Sequence, residues 1–167
     1  EGLPAHRIHR IHRDPEGRLW FLGLNNATGA TRNTPAVIAT YHEGRFATFP
    51  LDGALATGRV HSFAQDTDGA LWFSGVHGIG RYIKGGWTFW NTDSGLRYGA
   101  VFVLVADPQG GVFFSDQNNG LGHVSPDGVI SYTEDRNGLI HNNIRDLAVD
   151  ARGALWMATR GGLGSYW

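Results

Sequence analysis

Cysteine is absent from all 167 residues, which removes disulfides, thiolate zinc sites and cysteine nucleophiles together while leaving the cellular compartment open. Charge is sparse. Charged residues make up 17% of the chain against about 25% in an average domain, the formal net charge is -1, and no block of Lys and Arg occurs. A surface that tracks phosphates therefore has no electrostatic basis, and nucleic acid is not an expected partner. No apolar run approaches the roughly 18 residues of a membrane-spanning helix, so direct membrane insertion is not expected. No charged start followed by an apolar stretch marks a signal peptide, but Glu1-Gly2-Leu3 reads as an internal cut, so a missing leader carries no weight.

Glycine is what the chain has in excess, at 25 residues, roughly twice the average usage. Many of these glycines sit in a phrase that occurs four times: Asp14-Pro-Glu-Gly17-Arg-Leu19-Trp20-Phe21, Asp66-Thr-Asp-Gly69-Ala-Leu71-Trp72-Phe73, Asp107-Pro-Gln-Gly110-Gly-Val112-Phe113-Phe114 and Asp150-Ala-Arg-Gly153-Ala-Leu155-Trp156-Met157. The steps between the Asp residues are 52, 41 and 43. A period near 40 marks stacked supersecondary units.

The second unit shows what each copy encodes. Val60 to Gln65 reads as a short apolar strand, Asp66 to Gly69 as a turn, and Ala70 to Ser74 as an antiparallel return. Gly78 to Tyr82 and Trp87 to Phe89 supply a third and a fourth strand. Four short strands per 40 residues describe one blade of an all-β propeller. The blades are expected at about 6–55, 56–96, 97–139 and 140–167, within a single propeller segment. The first carries an insertion of about 11 residues in Leu24 to Pro35, and the last lacks its fourth strand. That gap implies a sector of a larger propeller, with a thin four-bladed ring, or two chains closing a ring of about eight blades, as alternatives.

These units resemble the two-component regulator propeller repeat, whose pattern runs apolar strand, Asp-x-x-Gly-x-Leu-Trp-Ile-Gly-Thr, Gly-Leu, aromatic, Gly, aromatic. Asp150 to Tyr166 matches it best, and Gly2-Leu3, Gly95-Leu96 and Gly138-Leu139 repeat the phrase that closes a unit. Phe113-Phe114 in place of the Trp dipeptide and the insertion in the first unit depart from it. The resemblance implies the ligand-sensing, extracytoplasmic or periplasmic half of a bacterial hybrid sensor. Its histidine kinase would lie elsewhere in the parent chain, its ligand would be a carbohydrate or other small polar molecule, and no cofactor is implied. A protein-interaction scaffold is the alternative. A second resemblance, to the metal-dependent streptogramin B lyase type of propeller, rests on Leu19-Trp20-Phe21 and Ile79-Gly80-Arg81-Tyr82. The His and Glu set of that enzyme cannot be placed here, because His42 and Glu43, adjacent in a strand, would point to opposite faces.

In a propeller the first strand of each blade lines the central channel, and the loops joining strands two to three and four to one share one rim. The rim candidates are then His6, Tyr98, His141, Asn142 and Asn143 between blades, with Asn25, Asn26, Arg32, His77, Gln117, Asn118, Asn119 and Arg160 within them. Their amide, imidazole, guanidinium and aromatic groups suit sugar hydroxyls and ring faces, and solvation alone would explain them equally. The run His6-Arg-Ile-His9-Arg-Ile-His12-Arg13 resembles a metal site, but a spacing of three places His9 and His12 on opposite faces unless a bulge intervenes. A pH-sensitive channel wall is the expected role. The aromatic rings at 20, 72, 113 and 156 are expected to pack between blades. The four Asp residues are expected to form turns. Only Asp66-Thr-Asp68 adds the second carboxylate that a calcium motif needs.

Overall fold

The computed structural model describes residues 7–25, 33–115, 119–125, 127–128, 130–134 and 138–166. Fifteen strands among them form four antiparallel sheets, each a meander in chain order. The first contains β1 (Arg7–Arg13), β2 (Leu19–Leu24), β3 (Ala36–His42) and β4 (Arg45–Phe49). The second contains β5 (Val60–Gln65), β6 (Leu71–Gly75), β7 (Gly78–Ile83) and β8 (Gly86–Trp90). The third contains β9 (Val103–Ala106), β10 (Val112–Ser115), β11 (Leu121–Val124) and β12 (Ile130–Thr133). The fourth has three strands, β13 (Ile144–Val149), β14 (Leu155–Thr159) and β15 (Gly162–Tyr166). The first strands pack in succession, β1 on β5, β5 on β9 and β9 on β13. This is the arrangement of propeller blades around an axis.

Each recurring Asp builds its turn in the same way. Its backbone carbonyl accepts from the glycine N–H three residues on, at 2.9–3.0 Å in all four copies. Its Oδ1 accepts a second backbone N–H inside the turn, from Arg18, Asp68, Gln109 or Arg152. Oδ2 then receives the indole N–H of the Trp six residues on: 2.8 Å for Asp14 and Trp20, 2.7 Å for Asp66 and Trp72, 2.9 Å for Asp150 and Trp156. Turn and wedge are thus one unit, and the carboxylate satisfies a donor that burial would otherwise orphan. The bond from Trp156 is the foremost cause holding the Asp150 carboxyl below its usual range.

The wedges face the following blade. Trp20 joins Leu22 and Ile38 against Val60, Phe63 and Phe73 of the second blade, and Trp72 joins Ile79 and Trp90 against Leu104, Val112 and Phe114 of the third. Phe113 packs on the cluster of Leu147, Leu155 and Met157. Trp20 and Trp72 are each 1% exposed. Trp156 departs from the expected packing role, at 39% exposed. It shares its face with Ala148, Ala158 and the 65% exposed Leu163, and among the described residues no sheet lies against that face. The opposite end has the matching feature: Ile11, 59% exposed, Phe21 and Phe46 lie on the face of the first blade that turns away from the second.

Candidate functional site

The innermost strands share a device. A β-bulge interrupts β1 between Ile8 and Arg10, β5 between Val60 and Ser62, and β13 between Ile144 and Asp146. The bulged residues His9, His61 and Arg145, with Phe102 in the third blade, each stand five positions before the recurring Asp. The bulge brings His9 and His12 to the side facing the second blade, which strict alternation would forbid. His9 Nε2 lies 2.6 Å from the Val60 carbonyl, and His12 packs on Phe63 with centroids 5.8 Å apart. His61 packs on Phe102, with centroids 4.7 Å apart and the rings tilted by 41°. No three His, Asp or Glu side chains among the described residues gather as metal ligands.

Burial lowers the pKa of all three imidazoles. For His61 it acts first, joined by the charges of Arg59, His9 and Arg10, and the value falls to about 4; His9 and His12 move in the same direction. The unfolded chain takes up the proton near pH 6.5, and the folded one near 4. The unfolded state therefore binds more protons across that window, and stability falls as pH drops through it. Through His61 alone the loss is expected to be on the order of 1–2 kcal/mol at pH 4, at about 1.4 kcal/mol per pKa unit and with solvent screening of this part-exposed ring taken off. Urea midpoints at pH 7 and 4.5 test this: the His61→Gln variant is expected to lose less on acidification than the parent chain.

The described rim candidates do fall on one edge. Asn25 follows β2, and its backbone N–H donates to the Pro35 carbonyl at 3.0 Å to close the base of the insertion. His77 occupies the β6–β7 turn, Tyr98 the β8–β9 loop, Asn119 the residues before β11, and Arg160 the β14–β15 turn. His141, Asn142 and Asn143 lie between β12 and β13. Backbone bonds tie these loops together: Gly120 N–H to the Asn142 carbonyl at 3.1 Å, and Arg160 N–H to the Asn143 carbonyl at 2.9 Å. The His141 Nδ1 accepts the Asn143 N–H at 2.8 Å, so part of this polarity is spent on the loops themselves. His6, Asn26, Arg32, Gln117 and Asn118 lie outside the described residues, as does most of the insertion.

On the same rim, an open depression of about 610 Å³ is lined by Asn33, Thr57, Val76, His77, Asn91 and Thr92, together with Ala54 and Gly99. Of the sequence candidates only His77 lines it. Asn91 escaped the sequence reading because its visible signal is structural: its Oδ1 accepts from Asp93 and Ser94 N–H and caps a short 3-10 helix, Thr92–Ser94. Asn33 and Thr57 belong to no repeated phrase, and the bridge between Pro35 and Thr57 brings them together. Elsewhere, Glu43 lies in the β3–β4 turn at a φ of 48° rather than in a strand. Turn geometry swings its carboxylate back to within 3.9 Å of His42 Nε2, instead of pointing it to the opposite face.

The profile named Two component regulator propeller matches residues 2–25 and 138–161 and bears out the repeat family read from the sequence. No curated protein sequence matches the chain. Among solved structures, the extracellular domain of a hybrid two-component system from B. thetaiotaomicron superposes with a TM-score of 0.71 at 20% identity, over 93% of this chain and 21% of that one. Virginiamycin B lyase from Staphylococcus aureus gives 0.62 at 20% identity, over 93% of this chain and 54% of that one. A gluconolactonase from Xanthomonas campestris gives 0.61 at 12%, over 96% and 57%. The chain thus spans between about a fifth and just over half of these structures. At such identities the likeness establishes the propeller fold that sensors and enzymes share.

Proposed function

We propose that this chain is a ligand-sensing propeller sector of an extracytoplasmic two-component sensor, binding a carbohydrate or other small polar ligand on its loop rim. The observation that carries the reading is the coincidence of two-component regulator propeller repeats at 2–25 and 138–161 with a rim depression lined by amide, hydroxyl and imidazole groups. Those groups offer both donors and acceptors to a polyol, and a concave site with a few convergent polar groups is the usual form of a small-molecule site. Nothing in this role calls for catalysis by the segment itself, and the kinase would belong to the remainder of the sensor. Further blades, of the same chain or another, suit the two apolar faces around Trp156 and around Ile11 and Phe21.

A thermal-shift screen against oligosaccharides tests the reading, because a ligand that binds only the folded state raises Tm. At least one sugar is expected to raise it by several degrees at concentrations near 100 Kd, and His77→Ala with Thr92→Ala is expected to abolish the shift while leaving the Tm of the free chain in place. No shift with any sugar favours the protein-interaction scaffold. Turnover that a chelator stops favours the lyase-like propeller.

A further inference from the structure

The interface between the third and fourth blades departs from the other two in a way that leaves a cavity. In the first blade the wedge Trp20 meets Phe49 of β4 edge-on at 5.3 Å, and in the second Trp72 stacks on Trp90 of β8 at 5.3 Å. Register fixes the equivalent positions in the third blade. Phe49 pairs with Ile38 and then Leu22, Trp90 with Ile79 and then Ser74, and Thr133 with Leu121 and then Ser115. Both members of the aromatic pair are therefore reduced at once, Trp to Phe113 and Phe or Trp to Thr133. A cavity of about 320 Å³ occupies the place, open to solvent beside the Asp107 turn.

The loss leaves a specific chemistry behind. Asp107 Oδ1 accepts the Gln109 N–H at 2.9 Å, as its counterparts do in the other turns. Oδ2, which elsewhere takes an indole N–H, has no indole to receive. His123, paired across the sheet from Phe113 where the second blade has Arg81, brings its Nε2 to 2.9 Å from that oxygen. A carboxylate oxygen accepts more than one hydrogen bond. Around it stand the Phe113 ring, the Tyr166 ring with centroids 6.5 Å apart and planes at 70°, and the apolar Leu155. Aromatic walls with a carboxylate at one end suit a flat ring that carries a donor on its edge.

We infer that this cavity between the third and fourth blades is a binding site for a planar heteroaromatic molecule with a ring N–H, of the indole class. Its ring takes the space of the missing wedge and its N–H donates to Asp107 Oδ2. Gln109, Ser131 and Thr133 also line the cavity and offer polar groups to a substituent. The site lies on the turn rim, opposite the loop rim with the polar depression, so the two sites are independent.

The probe is 5-fluoroindole observed by fluorine NMR with the intact chain. Its resonance is expected to shift and broaden with a Kd below about 1 mM. Phe113→Trp, which restores the wedge of the other blades, is expected to weaken binding at least tenfold while raising Tm, and Thr133→Phe serves as a second cavity-filling variant should the first fail to fold. Asp107→Asn is expected to weaken 5-fluoroindole more than 3-fluorotoluene, which lacks the N–H. Failure of 5-fluoroindole to bind at 1 mM overturns the inference. Equal binding by the filled variants overturns it as well.

Discussion

Replacing Trp72 by alanine is expected to lower the unfolding free energy by about 3–5 kcal/mol, while the same change at Trp156 costs about 1 kcal/mol or less. Both residues stand six positions after the Asp of the same phrase and both donate an indole N–H to the turn carboxylate, at 2.7 and 2.9 Å. They differ in what lies on the far side. Trp72 is enclosed by Trp90 and by the third blade's Leu104, Val112 and Phe114, with the Arg81 guanidinium 5.5 Å above its ring. Removing it opens a cavity in a close-packed wedge and takes the indole donor from Asp66 Oδ2, leaving it the Arg81 Nε at 4.0 Å. Trp156 already meets solvent across much of its ring. Since whole domains are stable by only about 5–15 kcal/mol, urea titrations separate the two variants easily, and equal losses would contradict the blade order described here.

The second large effect is at Gly78. Alanine there is expected to cost more than about 3 kcal/mol, from a strained backbone and a collision together. The residue has a φ of 124°, and a Cβ would come within 2.1 Å of the Trp90 carbonyl oxygen on the fourth strand of its blade. A backbone atom in a sheet cannot step aside as the end of a side chain can. Gly162 occupies the equivalent position of the fourth blade with a φ of 122°, yet nothing lies within 4 Å of its Cβ position, because no fourth strand is described there. Gly162→Ala therefore carries the strain without the collision. Gly78→Ala is expected to exceed it by about 1–3 kcal/mol, measured as the difference in urea midpoints at a shared m-value.

Strands and turns were legible in the sequence because each is encoded locally. The Asp-x-x-Gly phrase specifies a turn, and the apolar alternation on either side specifies two strands, so β5 spans Val60–Gln65 as the alternation places it. The packing of Trp20 and Trp72 followed from their regular place. That of Trp156 did not, because burial depends on a neighbouring sheet and no residue of the phrase reports whether one is there. The sequence allowed a bulge at His9 only as the exception to strict alternation and gave no sign of one at His61; both stand five positions before the recurring Asp, so the signal is the position in the repeat rather than the residue type. The rim depression joins Asn33, Thr57, His77 and Asn91 from four separate loops, and only His77 stood out in the chain. Phe113 stood out in the chain as a departure from the Trp of the other units, but the cavity beside it required a comparison of registers across blades, since nothing local pairs it with Thr133.

The central claim, a propeller sector that senses a small polar ligand on its loop rim, is tested most directly by nitrogen-15 amide spectra of the chain recorded against a panel of oligosaccharides. Shifts that saturate and gather at Asn33, Thr57, His77, Asn91 and Thr92, with neighbours such as Tyr98, are the expected result. Saturating shifts confined to the Asp-x-x-Gly turn rim or to the outer strands, or none with any sugar, would contradict it.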